Sequence, residues 1–361
     1  MGNMDRQNFK DEMTPKERAE AIAKGNPYDR IQCGPSIGDH AANLIGVKVS
    51  ELSFSVEKFL QGQIAANEKY AIESTIIGPG LGGIAEALGS KLIFPDHGAP
   101  YVTDYAINNF SDLDKISLPD PQKSGRFPFI LQTAEALVDK LGKEIPVSVG
   151  IPGPFTTSGN LRGVVNFLRD LRKNPEFAHR ILRLVTDTTI AFIKEVAKRD
   201  VSIEIDEPTA SGALISKDMF AKFTLPYLKE VIDAIISTGK SAPSLHICGN
   251  TTKIWTLMAD AGAGALSLDE TIDLEEAKRV VGDRVILVGN VKPTATMYLG
   301  TPQDVEREAK QCLRKAYDSP KGYILALGCG LPIDTPPENI LALRATARKY
   351  GKYPFDSELF S

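Results

Sequence analysis

The sequence predicts an α/β protein, a (β/α)8 TIM barrel with an N-terminal helical extension over residues 1–30. Short β-branched runs recur about eight times along the chain, and longer amphipathic stretches separate most of them. That order of strand and helix implies a parallel sheet. An open doubly wound sheet is the main rival.

The extension reads as helical from Thr14, whose hydroxyl suits an N-cap, with Pro15 at the first helical position where its missing N–H costs nothing. Strands are predicted at residues 31–37, 70–77, 146–151, 201–206, 243–247, 265–268, 285–288 and 323–327. Helical patterns follow at 178–199, 217–237 and 302–318. The run Gly78-Pro79-Gly80-Leu81-Gly82-Gly83 reads as a turn or a close approach of backbones. Glycine, proline and aromatics alternate from Gly89 to Tyr105, which suggests an excursion over the barrel mouth, where substrate contacts usually sit. No linker, internal repeat or composition shift divides the chain, so one domain over 1–361 is expected.

Composition narrows the function. With 361 residues, 42% hydrophobic and 24% charged, the chain is that of an ordinary globular protein with a large core. A net charge of −4 and no basic run argue against a nucleic-acid partner. No apolar stretch approaches the roughly 20 residues of a membrane span. The first residues, among them Asp5, Arg6, Asp11 and Glu12, lack the apolar core of a signal peptide. Four cysteines in so long a chain make a disulfide framework a poor reading, and a reducing cytoplasm is expected.

The residues richest in chemistry are His246-Ile247-Cys248 and the distant Cys329, each placed just after an apolar β-like run. In an extended segment residues i and i+2 share a side, so His246 and Cys248 can hold one ion while Ile247 packs the other way. One imidazole and two thiolates suit Zn²⁺, with a fourth position open to a substrate or a displaceable carboxylate. A buried histidine and two core cysteines with no ligand role are the plainer alternative.

Further segments strengthen the metal reading: Met13-Thr14-Pro15-Lys16-Glu17-Arg18, Gly153-Pro154-Phe155-Thr156, Asp206-Glu207-Pro208-Thr209-Ala210-Ser211, Leu245 to Asn250, Leu287 to Val291, Gly328-Cys329-Gly330 and Thr335 to Ile340. With these pieces the chain resembles the uroporphyrinogen decarboxylase superfamily, and within it the zinc-dependent, corrinoid-linked methyltransferases. The resemblance spans nearly the whole chain and implies a (β/α)8 barrel with zinc on His246, Cys248 and Cys329. It also places a displaceable carboxylate ligand at Glu270, in Ser267-Leu268-Asp269-Glu270; a solvated turn or a helix cap is the alternative there. The decarboxylases instead carry an arginine-rich segment for an acidic tetrapyrrole, and here the corresponding Cys33 to His40 holds no arginine.

Four more residues are candidates for catalysis. Asp39 and His40, after the first strand, would contact substrate or move a proton, or else serve as a cap and a surface histidine. Glu207, beside Asp206 after the fourth strand, would orient His246 or relay a proton, or else cap a helix or meet an arginine. Asn290, near the end of the seventh, would orient polar substrate atoms. Cys33 falls on a strand near the pocket, and Cys312 reads as helix packing.

The expected function is therefore methyl transfer between a corrinoid (cobalamin) and a small-molecule methyl donor or acceptor, such as a thiol or a methyl ether. Because the chain has no D-x-H-x-x-G run, the corrinoid would arrive on a separate corrinoid protein or as the free cofactor. Two thiolate ligands leave zinc electron-rich, which favours a thiol acceptor. A decarboxylase, or a noncatalytic barrel that binds a corrinoid protein or stores zinc, are the alternatives.

Overall fold

The structure is a computed structural model and describes residues 11–355. Thr14 caps the first helix, Pro15–Lys24, as a reciprocal pair: its hydroxyl accepts the Glu17 amide while the Glu17 carboxylate accepts the Thr14 amide. The expected positions 1–10 of the extension lie outside the described residues.

Ten strands follow. They are β1 (Gln32–Cys33), β2 (Thr75–Ile77), β3 (Lys91–Ile93), β4 (Tyr101–Asp104), β5 (Val147–Pro152), β6 (Ser202–Asp206), β7 (Ser244–Ile247), β8 (Ala265–Leu268), β9 (Ile286–Val291) and β10 (Tyr323–Leu327). Eight form one parallel sheet in the order β1-β10-β9-β8-β7-β6-β5-β2. The sheet curls into a (β/α)8 barrel whose ends, β1 and β2, are bridged by side chains: Glu73, just before β2, accepts the Cys33 amide at 3.1 Å, and Ser36 meets Ser74 at 3.3 Å. β3 and β4 pair antiparallel as a separate hairpin within the expected 89–105 excursion.

Local chemistry explains where the elements depart from expectation. The first strand stops at Cys33 because Pro35 has no N–H to continue a ladder. Residue 70 ends a helix, Val56–Tyr70, and Ala71 with φ 49° turns the chain, so the second strand spans only Thr75–Ile77. The single helix expected over 217–237 is two, Lys217–Phe223 and Leu225–Ser237, because Pro226 cannot continue the intrahelical bonds past Thr224. In the glycine-rich run, a Cβ on Gly78 would meet the Gly150 carbonyl oxygen at 2.2 Å, so β2 and β5 can approach only with glycine there.

Alternation along each strand sorts side chains to two environments. Ile203, Ile205, Leu245, Ile247, Leu266, Leu268 and Leu325 face the surrounding helices and are at most 2% exposed. Each such side chain contributes about 1.5–3 kcal/mol by leaving water. Between them, Ser202, Glu204, Asp206, Ser244, His246, Ser267 and Ala326 face the lumen. A barrel interior is ordinarily filled by layers of Val, Ile and Leu. Small lumen residues here leave a cavity of about 570 Å³, running from Cys248 and Cys329 down to Ala19 and Ile22 of the first helix.

Candidate functional site

Asp206, His246 and Ser267 form a row across three adjacent strands: Asp206 of β6 is in register with His246 of β7, which is in register with Ser267 of β8. The His246 Nδ1 lies 3.1 Å from both the carbonyl oxygen and the hydroxyl of Ser267. A proton on Nδ1 satisfies that carbonyl, which leaves the Nε2 lone pair for a metal. Cys248 follows the end of β7, and its Sγ is 3.2 Å from Nε2. Cys329 arrives from the turn after β10, and one ligand atom each from His246, Cys248 and Cys329 lie within 4.8 Å of one another.

Two devices hold this turn cluster. The Asp269 carboxylate accepts the amides of Gly249 at 2.7 Å and Thr271 at 2.9 Å, tying the loop after β7 to the loop after β8. A Cβ on Gly328 would sit 2.3 Å from the Glu270 amide nitrogen, so only glycine lets the Cys329 turn press against that loop.

The electrostatics favour one thiolate within the cysteine pair. Donation from the Cys248 thiol, and from His246, holds Cys329 well below the usual thiol range. Cys248 is pushed up in turn, by its hydrogen bond to Cys329 and by burial. Burial opposes charge on His246, yet the contact with Cys329 and the nearby Asp206 carboxyl raise its pKa overall. Asp206 is itself raised, by burial and by the charge on Cys329. Cys33 and Cys312 are buried apart from this group, each raised to about 11 by burial. No disulfide forms among the described cysteines.

A tetrahedral zinc ion with bonds of about 2.0–2.3 Å needs donor atoms separated by roughly 3.3–3.8 Å. The three donors, 3.2 Å apart at His246 and Cys248 and all within 4.8 Å of one another, with a hydrogen-bonded imidazole, could close on such an ion by small side-chain shifts. Glu270 does not join them: its carboxylate lies outside the 4.8 Å grouping, raised by burial and by Asp269 beside it.

The remaining candidates take other positions. Glu207 turns its side chain away from the lumen, and its two carboxylate oxygens accept the amides of Phe155 and Thr156 at the start of the helix Pro154–Arg162; its link to His246 is through the backbone, where its amide donates to the His246 carbonyl at 2.8 Å. Burial raises it to about 7 against those donors. His40 is no surface histidine. It is 2% exposed, with Nδ1 at 2.7 Å from the Ile333 carbonyl and Nε2 at 2.9 Å from the Tyr70 hydroxyl, so both ring nitrogens are engaged in packing. Asp39, raised by burial, is likewise not part of the lumen wall. Asn290 donates to the carbonyls of Asp269 at 3.0 Å and Ile272 at 2.6 Å, supporting the Asp269 loop from behind. Sequence reasoning gave too little weight to Asp206, Glu204 and Ser267, although strand parity with His246 was the available signal.

The model of the family described as uroporphyrinogen decarboxylase (URO-D) matches residues 14–350. The chain belongs to the uroporphyrinogen decarboxylase family. Within this family it is similar to the methylcobamide:CoM methyltransferase MtbA of Methanosarcina mazei, at 32% identity over 94% of this chain and 99% of that protein. A uroporphyrinogen decarboxylase of Vibrio campbellii is 26% identical over 79% of this chain and 82% of its own. Among solved structures, a methyltransferase from Methanosarcina mazei superposes with a TM-score of 0.85, at 28% identity over 94% of this chain and 99% of that one. No helix among the described residues is long and apolar enough to cross a membrane.

Proposed function

We propose that this family member is a corrinoid-dependent methyltransferase, working with zinc on His246, Cys248 and Cys329 and moving a methyl group between a corrinoid and a small substrate. The observation that carries the reading is the convergence of one imidazole and two thiols at the open, C-terminal end of the barrel, above a lumen deep enough for a small molecule. Similarity to methylcobamide:CoM methyltransferases over nearly the full length supports it. A tetrapyrrole decarboxylase is disfavoured because no arginine or lysine stands among the described residues of the lumen wall.

When bound, zinc supplies Lewis acidity that lowers a thiol pKa or polarises an ether oxygen. The protein's own groups do the rest. Ser267 fixes the ring and tautomer of His246; Asp269 and Gly328 hold the two cysteine turns together; and Asp206, facing the lumen beside His246, is the group placed to hold or release the substrate proton. Glu270 would become the exchangeable fourth ligand only by turning its side chain toward the cluster. The corrinoid would come on a separate corrinoid protein, and a reducing cytoplasm would keep the paired thiols available.

The test is methyl exchange followed by the cobalamin absorption band, using zinc-loaded protein, methylcobalamin or a methylated corrinoid protein, and small thiols. Spectral conversion that depends on Cys248 and Cys329 is expected. No change with any thiol, or with Co(I) and any methyl ether, would refute the reading.

A further inference from the structure

The lumen beneath the metal cluster has an unusual charge inventory. Glu204 and Asp206 face it, and no Lys or Arg does among its described residues. The guanidinium behind β1, Arg344, is fully buried, with its amino groups donating to the Cys33 and Pro35 carbonyls at 2.7 and 3.1 Å. A divalent ion held by two thiolates and a neutral imidazole is itself uncharged overall, so the site offers no net positive charge to an anion.

Gln32 adds an independent pointer to a ligand. It is 7% exposed and lines the lumen, its amide nitrogen faces the Glu73 carbonyl, and its Oε1 is buried with no hydrogen-bond partner. The nitrogen's partner accepts only, which settles the amide's orientation and leaves its oxygen a buried, unpaired acceptor at the lumen wall. Glu204 and Asp206 add acceptor oxygens: ionised they repel anions, and protonated they still bring no positive charge. Ser148 and Ser202 satisfy each other at 2.9 Å.

We propose that the methyl-carrying or methyl-receiving substrate bears an uncharged polar or cationic tail, lying in the lumen against Gln32, Glu204 and Asp206, and that anionic tails are rejected. This rests on the methyltransferase reading above and names the substrate class for it. A hydroxyl or ammonium donor meets the acceptors present, whereas a sulfonate or carboxylate would be desolvated beside carboxyl groups with no cation to pair it.

Three two-carbon thiols that differ only in the tail group provide the test: 2-mercaptoethylamine, 2-mercaptoethanol and 2-mercaptoethanesulfonate (coenzyme M). Their binding to the zinc-loaded protein is measured by calorimetry, separately from methyl transfer. The amine and alcohol should bind at least about tenfold more tightly than the sulfonate, about 1.4 kcal/mol. In the Glu204→Gln/Asp206→Asn double variant the gap should narrow to about threefold or less. Equal or tighter sulfonate binding overturns the proposal, and so does binding by none of the three. If the expected order appears but no thiol takes up a methyl group and no methyl ether reacts with Co(I), the tail preference of the lumen stands and the transfer reading fails.

Discussion

The Asp269 carboxylate accepts the Gly249 amide at 2.7 Å, so a side chain on the loop after β8 sets the position of Cys248 on the loop after β7. Removing that tie should loosen a ligand without touching the metal. Asp269→Ala should therefore weaken zinc affinity about 10–100-fold, the usual effect of losing a group that orients ligands. Competition with a chromophoric chelator measures it, and an unchanged affinity would show that the loops hold themselves.

Metal content gives the most direct check on the ligand set. Freshly purified protein should carry about one zinc per chain, as expected of a site with three protein ligands, and Cys248→Ala or Cys329→Ala should lose it while circular dichroism stays native. Glu270→Gln should keep the metal, because that carboxylate stands outside the cluster. X-ray absorption on the resting protein should report two sulfur neighbours; four would contradict the set.

Glu207 separates a structural carboxylate from a catalytic one. It satisfies two amides at the start of the helix Pro154–Arg162, so Glu207→Ala should cost about 1–2 kcal/mol of stability, as lost helix caps do. Zinc content should not change. Denaturant melts with elemental analysis decide it, since loss of zinc with unchanged stability would move Glu207 to the metal.

The corrinoid should arrive from outside the chain. Methyl exchange with free methylcobalamin should be slow, and exchange with a cognate corrinoid protein much faster, because a docked partner covers the barrel mouth and excludes water. Equal rates in stopped-flow absorption would argue for a corrinoid site on this chain.

Acid stability should depend on the ion cluster beneath the barrel. Glu73 is 1% exposed and pairs with Arg30 at 2.9 Å and Arg18 at 3.2 Å, while Asp11 meets Arg30 at 2.5 Å. Burial alone would raise both carboxyl groups, but the guanidinium groups hold them below the usual range, Asp11 at about 2. A depressed carboxylate stabilises the fold above its unfolded pKa, so this contribution is present above about pH 4.5 and lost as pH falls toward 2. Glu73→Gln should cost about 3–5 kcal/mol at neutral pH by stranding buried guanidinium charge. Thermal melts across that pH range check both points, and a Glu73→Gln melt matching wild type would remove the cluster from the account.

The eight barrel strands were legible in the sequence, though not the ends of the first two nor the hairpin of β3 and β4, because each is short, apolar on one face and bounded by turn residues. Parity along the chain was equally readable: His246 and Cys248 share a side, as Glu204 and Asp206 do. Thr14 and Pro15 marked the first helix because capping is chemistry between residues three apart.

Other features depend on partners distant in sequence, which local periodicity does not reveal. Whether Glu207 faces a metal or a helix start was settled by where the Gly153-Pro154 turn lands beside β6. His40 lost its candidacy to Tyr70 and to Ile333, far along the chain. Cys329 reached His246 only because β10 curls round beside β1 and its turn presses Gly328 onto Glu270. An open lumen, too, required the small side chains of several strands to face one another, and barrel closure decides that.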